Sequence, residues 1–352
     1  MKFTLNENDV VLSGDMALLF GEIEAFKGEW RACGSLPPKR LMEWQRRAAI
    51  ESAGASTRIE GGKLSDAAVS RVMAGLSSRS FTTRDEQEVA GYACLWNEIC
   101  GSWQSMPLTE SLVKQMHATL LRFSDKDALY RGAWKTVENN VAAFDASGRQ
   151  IGVVLETAPA SETPRLMTEL IEWVNLKLSE SRTPPLLVVG MFVAAFLAIH
   201  PFQDGNGRLS RALAQLLLLR AGYAFVPYES LDRAIEATRQ SYYISLRATQ
   251  RTLQDERPNW SIWLTYFLKV LARLVRKLKA KVEDEHLLRT MPETSMRIIE
   301  LSRDHGAISI AEAEAALKIN KYTLRDHFKR LVEEGHLIRV GSGRATKYKL
   351  KA

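Results

Sequence analysis

Cysteine is scarce in this chain, with three residues among 352. The spacing of Cys33, Cys94 and Cys100 matches neither a zinc site nor a disulfide framework, so the sequence excludes cysteine-based zinc proteins and disulfide-rich secreted proteins. It fits a reducing compartment such as the cytoplasm. No apolar run is long enough to span a bilayer, since the longest covers only residues 186–199. The N-terminus carries no signal-peptide pattern, so we expect a protein without membrane association.

Neither sign of charge dominates the chain, whose formal net charge is +7 with 25% charged and 46% hydrophobic residues. This is the composition of an ordinary globular protein, and its mild positive excess permits acidic or nucleic-acid partners without requiring them. Strand-like alternation is scarce and helical periodicity is widespread, so we expect a mainly α fold. Apolar spacing and helix-ending signals predict helices over residues 41–60, 85–100, 110–122, 164–178, 186–199 and 208–221.

Residues 200–211 concentrate groups that suit a triphosphate site, in the order His-Pro-Phe-Gln-Asp-Gly-Asn-Gly-Arg-Leu-Ser-Arg. The Gly-Asn-Gly at 205–207 can bring successive N–H groups together around an anion, and the N-terminus of the following helix adds more donors. Arg208 and Arg211 lie three positions apart, so they share a helix face and can bind different phosphates.

Two further residues of this segment supply chemistry. The Asp204 carboxylate is a hard oxygen ligand suited to Mg²⁺, which would bridge phosphate oxygens. His200 titrates in the range that a general base needs at neutral pH. The other histidines show no metal spacing, and we interpret them as structural or exposed residues: His117, His286, His305, His327 and His336.

The segment matches the signature His-x-Phe-x-(Asp/Glu)-Gly-Asn-Gly-Arg-x-x-Arg at every specified position, so the chain resembles proteins with a Fic domain. Fic proteins mostly transfer AMP from ATP to a hydroxyl of a target protein. The resemblance implies a helical bundle with a β-hairpin flap, in which His200 deprotonates the hydroxyl, Asp204 holds Mg²⁺ and Phe202 anchors the loop. It implies a nucleotide site made of Gly205, Asn206, Gly207, Arg208, Leu209, Ser210, Arg211, Tyr242, Tyr243 and Gln250. For the two tyrosines and the glutamine, ordinary core packing is the alternative.

Residues 130–157 change character, because two short runs rich in β-branched residues flank a Ser-Gly turn at 147–148 and predict a hairpin. Fic proteins carry a hairpin flap at this place, which pairs with the target segment strand to strand. The resemblance therefore assigns Lys135, Thr136 and Val137 to the flap. A surface hairpin without a role is the alternative.

A second pattern, Ser-Thr-Arg-Ile-Glu-Gly at residues 56–61, fits (Ser/Thr)-x-x-x-Glu-(Gly/Asn). The glycines at 61–62 should end a helix here, so Glu60 would face the negative end of the helix dipole, a local conflict that suggests a functional role. Fic proteins with an inhibitory helix carry this pattern. The resemblance implies an inhibitory pair, Ser56 and Glu60, whose glutamate contacts Arg211 and prevents the γ-phosphate from seating. In some relatives the same glutamate positions a water that removes AMP; a surface glutamate before a helix cap is the alternative.

Residues 290–352 read as a separate unit, with three helical segments and a terminal hairpin that together resemble a winged helix-turn-helix. The third helix and the wing carry the residues that we expect at a DNA interface: Lys321, Tyr322, Thr323, Arg325 and Arg344. The charge on this face is mixed, so a protein-binding or dimer module is the alternative.

The predicted organisation is an N-terminal helical region over residues 1–105, with the inhibitory helix at about 41–61, a Fic domain over 106–280 and a winged helix over 290–352. We expect an enzyme that uses ATP and Mg²⁺ to modify a Ser, Thr or Tyr hydroxyl and is held inactive in cis, with homodimerisation left open. Some Fic relatives transfer phosphate or phosphocholine, but the intact arginine pair favours AMP. The alternative from another class is a nucleotide-sensing transcription regulator that binds DNA.

Overall fold

The computed structural model describes residues 5–32, 36–76, 81–144, 150–155, 157–180, 182–343 and 346–351. Over these residues the chain is mainly α-helical, as predicted, with two antiparallel sheets of two strands each. It divides into two units, Met1–Leu278 and Lys279–Ala352. None of the described helices is both long and apolar enough to cross a membrane.

Helices dominate the described part of the first unit, and their bounds lie close to those predicted from the sequence. The N-terminal helices are α1 (Gly14–Ala32), α2 (Pro38–Ile59), α3 (Asp66–Ala74), α4 (Arg84–Ser102) and α5 (Glu110–Leu120). After a hairpin of β1 (Val141–Phe144) and β2 (Gln150–Leu155) come α6 (Thr163–Glu180), α7 (Pro185–Ile199), α8 (Asn206–Arg220), α9 (Leu231–Glu236), α10 (Arg239–Gln250) and α11 (Ser261–Thr290). The last of these, α11, continues across the division between the units.

Helix α7 forms the centre of the first unit. Every residue from Leu186 to Ile199 is buried, and α6, α8 and α10 pack along this helix. A helix that is apolar on all sides is stable in a globular protein only when its neighbours enclose it. The same packing fixes the C-terminal end of α7, from which the motif loop departs.

Helix α2 carries the residues predicted to inhibit the site. It packs against α4 and α9 and begins with Pro38, a position where proline costs nothing because the first N–H groups of a helix have no intrahelical partner. The helix ends at Ile59, immediately before the glutamate and the glycine pair that were predicted to end it. The C-terminal end of α2 therefore holds Glu60 at a fixed position.

The predicted hairpin is present, since β1 pairs antiparallel with β2. The residues assigned to the flap, Lys135, Thr136 and Val137, precede β1 and lie outside both strands. The predicted turn at 147–148 lies outside the described residues. Pairing with a target segment stays a prediction for this hairpin.

The second unit contains α12 (Glu293–His305), α13 (Ile310–Leu317), α14 (Lys321–Glu333), β3 (Leu337–Val340) and β4 (Lys347–Leu350). Strand β3 pairs antiparallel with β4, and Ile308 exchanges two backbone hydrogen bonds with Tyr348 of β4. Apolar residues of α12, α14 and β3 form a core that is separate from that of the first unit. The order of three helices and two strands is the one predicted, and Arg344 lies outside the described residues.

Gly91, in the middle of α4, marks a close approach of two helices. A methyl group added there would overlap the backbone carbonyl of Leu120 at the end of α5. We predict that Gly91→Ala lowers the free energy of unfolding by about 1–3 kcal/mol, because packed backbone must shift. Gly21→Ala on α1, where the same methyl group meets open space, should raise it by about 0.5–1 kcal/mol. Urea denaturation measures both, and equal stabilities of Gly91→Ala and wild type would contradict the close approach.

Candidate active site

The motif loop joins the buried end of α7 to the start of α8. His200 follows α7 with left-handed backbone angles, φ 53° and ψ 58°, and its N–H donates to the carbonyl of Phe196 at 2.8 Å. A side-chain-bearing residue in this conformation costs about 1–3 kcal/mol, and such strain concentrates at functional sites. Gly205, with φ 80°, caps the N-terminus of α8. The loop therefore joins the predicted base to the first turn of α8.

Lys135 supports this loop from beneath. It is buried, its backbone N–H donates to the carbonyl of Pro201 at 2.8 Å, and its Nζ donates to the carbonyl of Ile199 and to Thr157 Oγ1, both at 3.0 Å. Burial lowers the pKa of Lys135 to about 8. Its side chain faces the motif loop, so we interpret Lys135 as a support of the base and not as a contact to a target strand. The neighbouring Thr136 is exposed, like Val137.

Asn139 is a second support that sequence reasoning missed. Its Nδ2 donates to the carbonyls of Phe202 at 2.6 Å and His200 at 3.2 Å, and its Oδ1 accepts from Lys135 Nζ at 2.8 Å. These bonds fix the backbone on both sides of Pro201. Nothing in the local sequence signals them, because the partners lie more than sixty positions apart in the chain.

Phe202 anchors the loop, as predicted. Its ring is buried and stacks on the imidazole of His117, with centroids 3.8 Å apart and planes inclined by 14°. His117 Nδ1 accepts from the N–H of Gly132 at 3.0 Å, so Nε2 carries the proton and donates to the carbonyl of Asp204 at 3.0 Å. His117 is therefore structural, as interpreted, and it sets the position of the acidic residue of the motif.

The side chain of Asn206 closes the loop. Its Oδ1 accepts from the N–H of Phe202 at 2.9 Å, and its Nδ2 donates to the carbonyl of Phe202 at 2.6 Å. Both polar side-chain atoms of Asn206 therefore hydrogen-bond to the backbone of the loop. The contact of Asn206 with phosphate stays a prediction. The first N–H groups of α8, at residues 206–208, have no intrahelical acceptor and lie at the positive end of the helix dipole, an arrangement that binds anions.

Leu209 and Ser210, which the sequence predicts as nucleotide contacts, lie in the first turns of α8. Both side chains are buried. The N–H of Leu209 donates to the carbonyl of Gly205 at 2.9 Å, and Ser210 Oγ donates to the carbonyl of Gly207 at 2.8 Å. We therefore interpret both residues as helix and core positions, which lie between the two buried arginines of the motif.

The guanidinium of Arg211 meets both residues of the predicted inhibitory pair. Its Nε donates to Ser56 Oγ at 2.9 Å and its Nη2 to the backbone carbonyl of Ser56 at 2.8 Å. Its Nη1 donates to Glu60 Oε1 at 2.9 Å. The Arg211 side chain is 2% exposed, whereas that of Glu60 is 34% exposed. The end of α2 and the first turns of α8 are therefore joined through one arginine.

Asp232 is a third partner of Arg211 that sequence reasoning did not find. Its Oδ1 lies 3.3 Å from Arg211 Nε, and the carboxylate accepts from the hydroxyl of Tyr92 at 3.0 Å and from Gln215 Nε2 at 2.9 Å. Burial raises the pKa of Asp232, while the nearby guanidinium and the phenol of Tyr92 oppose that rise. The buried carboxylate balances the buried charge of Arg211 independently of Glu60.

Glu60 also lies against the N-terminal turn of α8. A methyl group added at Gly207 would overlap Glu60 Oε1, so only glycine lets the carboxylate approach this close. The carboxylate thus stands at a helix N-terminus, where an anion is stabilised by free N–H groups and by the dipole. It occupies the kind of position that a phosphate of a nucleotide would need.

Asp204 and Arg208 form the other side of the site. The Asp204 side chain is 36% exposed, and Arg208, which is buried, lies 3.4 Å from it and 3.1 Å from Glu88 Oε2. The described residues contain no cluster of three or more His, Cys, Asp or Glu residues that could hold a metal. Mg²⁺ commonly binds one or two carboxylates together with substrate phosphates, so Asp204 alone fits such an ion when a nucleotide is present.

Tyr242, Tyr243 and Gln250 line α10 at different depths. Tyr242 is buried in an aromatic group, with ring centroids 5.7 Å from Trp263. Tyr243 donates its hydroxyl to the carbonyl of Ile59 at 3.2 Å, beside Glu60. Gln250 is buried and its Nε2 donates to the carbonyl of Ala194 at 3.2 Å. These contacts favour core packing for Tyr242 and Gln250 and leave Tyr243 next to the predicted brake.

Helical packing around a His-to-Arg motif loop, with an open helix N-terminus and two arginines, defines the Fic/DOC class of proteins. Residues 107–218 match the Fic/DOC family model, so this part of the chain is a Fic domain. A Fic family protein from Desulfovibrio desulfuricans shares the fold, with a TM-score of 0.60, 20% identity and 98% coverage of both chains.

Two curated relatives each match part of the chain. A Fido domain-containing protein of Dictyostelium discoideum is 36% identical over 100 residues, which are 27% of this chain and 65% of that protein. The protein adenylyltransferase Fic of Drosophila mojavensis is 31% identical over 128 residues, which are 36% of this chain and 25% of that protein. The chain therefore spans less than two thirds of the length of these relatives.

Two histidines, the buried His117 and the partly buried His200, give the stability of the protein a pH dependence of defined sign. Burial lowers the pKa of His117 and of His200 to about 4, below the value of about 6.5 in an unfolded chain. Between these values the unfolded state binds more protons, so the free energy of unfolding falls as the pH drops from about 6.5 toward 4. We predict lower urea midpoints at about pH 5 than at about pH 7 and a smaller difference in His117→Gln. Equal pH dependences of the two proteins would contradict a neutral, buried His117.

Proposed function

We propose that this chain is a protein adenylyltransferase, which transfers AMP from ATP to a Ser, Thr or Tyr hydroxyl of a target protein. The observation that carries the proposal is that one short loop joins His200, at the end of α7, to the N-terminal turns of α8, which carry Arg208 and Arg211. A base, two cations and free backbone donors in one place suit the transfer of a group from a triphosphate. The similarity of part of the chain to the protein adenylyltransferase Fic of Drosophila mojavensis supports the same reaction class.

The transfer follows from the positions of these groups. Arg208, Arg211 and the α8 N-terminus bind the triphosphate. His200 accepts the proton of the target hydroxyl while the hydroxyl oxygen forms a bond to the α-phosphorus of ATP. The bond from the α-phosphorus to the oxygen that bridges to the β-phosphate breaks, and pyrophosphate leaves with its electron pair. The low pKa of His200 keeps the imidazole neutral at neutral pH, and bound phosphates would raise that pKa toward the working range.

Asp204 is the residue that would hold Mg²⁺ in this reaction. Its carboxylate is partly exposed beside the phosphate-binding turn, and its backbone is fixed by His117. The ion would neutralise charge on the leaving pyrophosphate. The carboxylate then orients the triphosphate so that the α-phosphorus faces the base.

Autoinhibition by Glu60 is the second part of the proposal. Glu60 neutralises one end of the Arg211 guanidinium and stands beside Gly207. A γ-phosphate that bound to Arg211 Nη1 and to the N-terminus of α8 would be repelled by the negative charge of Glu60. The nucleotide therefore binds in a pose that leaves its α-phosphorus away from His200 until Glu60 moves.

Removal of AMP from a modified target is a further activity that this glutamate could serve. Its side chain is partly exposed although it contacts a buried arginine, so a carboxylate oxygen can hold a water at the mouth of the site. Water attacking the phosphorus of the modified hydroxyl would release AMP and restore the target hydroxyl.

Replacement of Glu60 tests transfer and brake together. We predict that Glu60→Gly raises the incorporation of label from α-labelled ATP into protein by about tenfold or more, because Arg211 Nη1, which Glu60 occupies, becomes available to phosphate. The measurement is label in protein after incubation with Mg²⁺ and cell lysate.

Two controls accompany this measurement. Glu60→Gly combined with His200→Ala should return to background, because the base is gone. Glu51→Gln, which removes a carboxylate that pairs with an exposed arginine on the same helix, should behave like wild type. If Glu60→Gly incorporates no more label than wild type, the proposed brake is wrong; no label in any variant would favour a regulator over an enzyme.

Binding of DNA by the second unit is the other candidate function. Lys321, Arg325 and Lys329 follow one face of α14 and, together with Arg339 of β3, line a groove of about 710 Å³. Tyr322 and Thr323 are exposed at the start of the same helix. Basic side chains at this spacing can contact successive phosphates of a duplex.

A gel-shift experiment with random duplex at low salt tests this candidate. Lys321→Gln and Arg325→Gln should each weaken binding and reduce the slope of log affinity against log salt by about 1. Arg330→Gln, on an exposed part of α14 where it pairs with Glu334, is the matched control and should retain wild-type binding. Absence of any shift would indicate a protein-binding role for this unit.

A further inference from the structure

Four side chains of alternating charge close a ring beside the motif loop. Arg84 Nε lies 2.7 Å from Glu88 Oε1, and Arg84 Nη2 lies 3.1 Å from Asp204 Oδ2. On the other side, Arg208 Nη1 lies 3.1 Å from Glu88 Oε2, and Arg208 Nη2 lies 3.4 Å from Asp204 Oδ1. Each carboxylate thus meets both arginines, and Asp204 is paired with cations of the protein itself.

The two arginines of this ring differ in their freedom to move. The Arg208 side chain is 2% exposed, whereas that of Arg84 is 56% exposed. Arg84 is held at Nε by Glu88, one turn further along α4, and reaches Asp204 with one terminal nitrogen. That nitrogen can leave the carboxylate while the bond to Glu88 stays intact.

The position of Arg84 in α4 conflicts with the local electrostatics of a helix. It is the first residue of α4, directly after the N-cap Thr83 and within the capping box that Thr83 forms with Glu86, and the N-terminus of a helix favours negative side chains over positive ones. A residue that breaks a local rule is often kept for a site that it serves. Here the site is Asp204, which lies 120 positions along the chain.

We propose that Arg84 is a displaceable counter-ion of Asp204, which occupies the carboxylate in the nucleotide-free site and competes with the divalent cation. A metal ion and a guanidinium nitrogen that both bind Oδ2 would lie close enough for their positive charges to repel, so each weakens the binding of the other to the carboxylate. Arrival of Mg²⁺ with the nucleotide therefore releases Arg84 from Asp204 and leaves it tethered to Glu88. This inference rests on the proposed role of Asp204 as the metal ligand.

Coupling between metal and nucleotide measures this competition directly. The dissociation constant of a fluorescent, non-hydrolysable ATP analogue is determined for the full-length chain with Mg²⁺ and with EDTA, and the ratio gives the gain in affinity due to the metal. In Arg84→Gln the gain should exceed that of wild type by about two- to fivefold, the range expected for one partly exposed ion pair. Arg47→Gln is the matched control, because Arg47 makes the same (i, i+4) pair with Glu51 at 3.0 Å on α2; its gain should equal that of wild type.

A gain in Arg84→Gln equal to or smaller than that of wild type would overturn the inference. Asp204→Asn separates this failure from a failure of the proposed function. Loss of the gain in Asp204→Asn together with an unchanged gain in Arg84→Gln overturns the competition alone. A full gain in Asp204→Asn shows that Asp204 is not the metal ligand, and the inference falls with that assignment. An analogue that binds neither wild type nor Glu60→Gly contradicts the nucleotide site itself, and the inference with it.

Discussion

The buried guanidinium of Arg211 is the interaction on which the rest of the site depends. A charge removed from water is tolerated only when opposite charges and hydrogen-bond acceptors surround it. Asp232 and Ser56 meet this need from within the protein, and Glu60 completes it from the edge. Because these partners come from α2 and from α9, the same charge also ties two helices to α8. Glu60 is the partner that can leave without stranding a buried charge, since Asp232 remains.

The motif loop is held by side chains that take no part in the proposed chemistry. Lys135 and Asn139 fix the backbone around His200, while His117 fixes that of Asp204. The backbones of His200 and Asp204 are therefore positioned by different side chains. A site held in this way has little to reorganise when substrate arrives, which favours rapid reaction once the brake is released.

Local patterns explain what could be predicted from the sequence. Apolar spacing and glycine signals gave helix bounds within a few residues, and the motif gave the loop between α7 and α8. The contact of Glu60 with Arg211 followed from resemblance, since no local rule joins residues 151 positions apart. Asp232 and Arg84 were missed because their partners are distant and their own surroundings in sequence are ordinary. A residue's place in the motif also does not show whether its side chain points toward the site or into the core. The side chain of Leu209, for example, lies in the core.

The contact of Glu60 with the first turn of α8 bears on how strongly the proposed brake would act. The carboxylate is an anion attached to the same chain, so it would compete with phosphate at an effective concentration set by how firmly the end of α2 is held. Soluble nucleotide would displace it only at concentrations comparable to that value. The strength of the proposed block would therefore be a mechanical property of α2, and whatever softens the last turn of that helix would lower the effective concentration without touching the carboxylate.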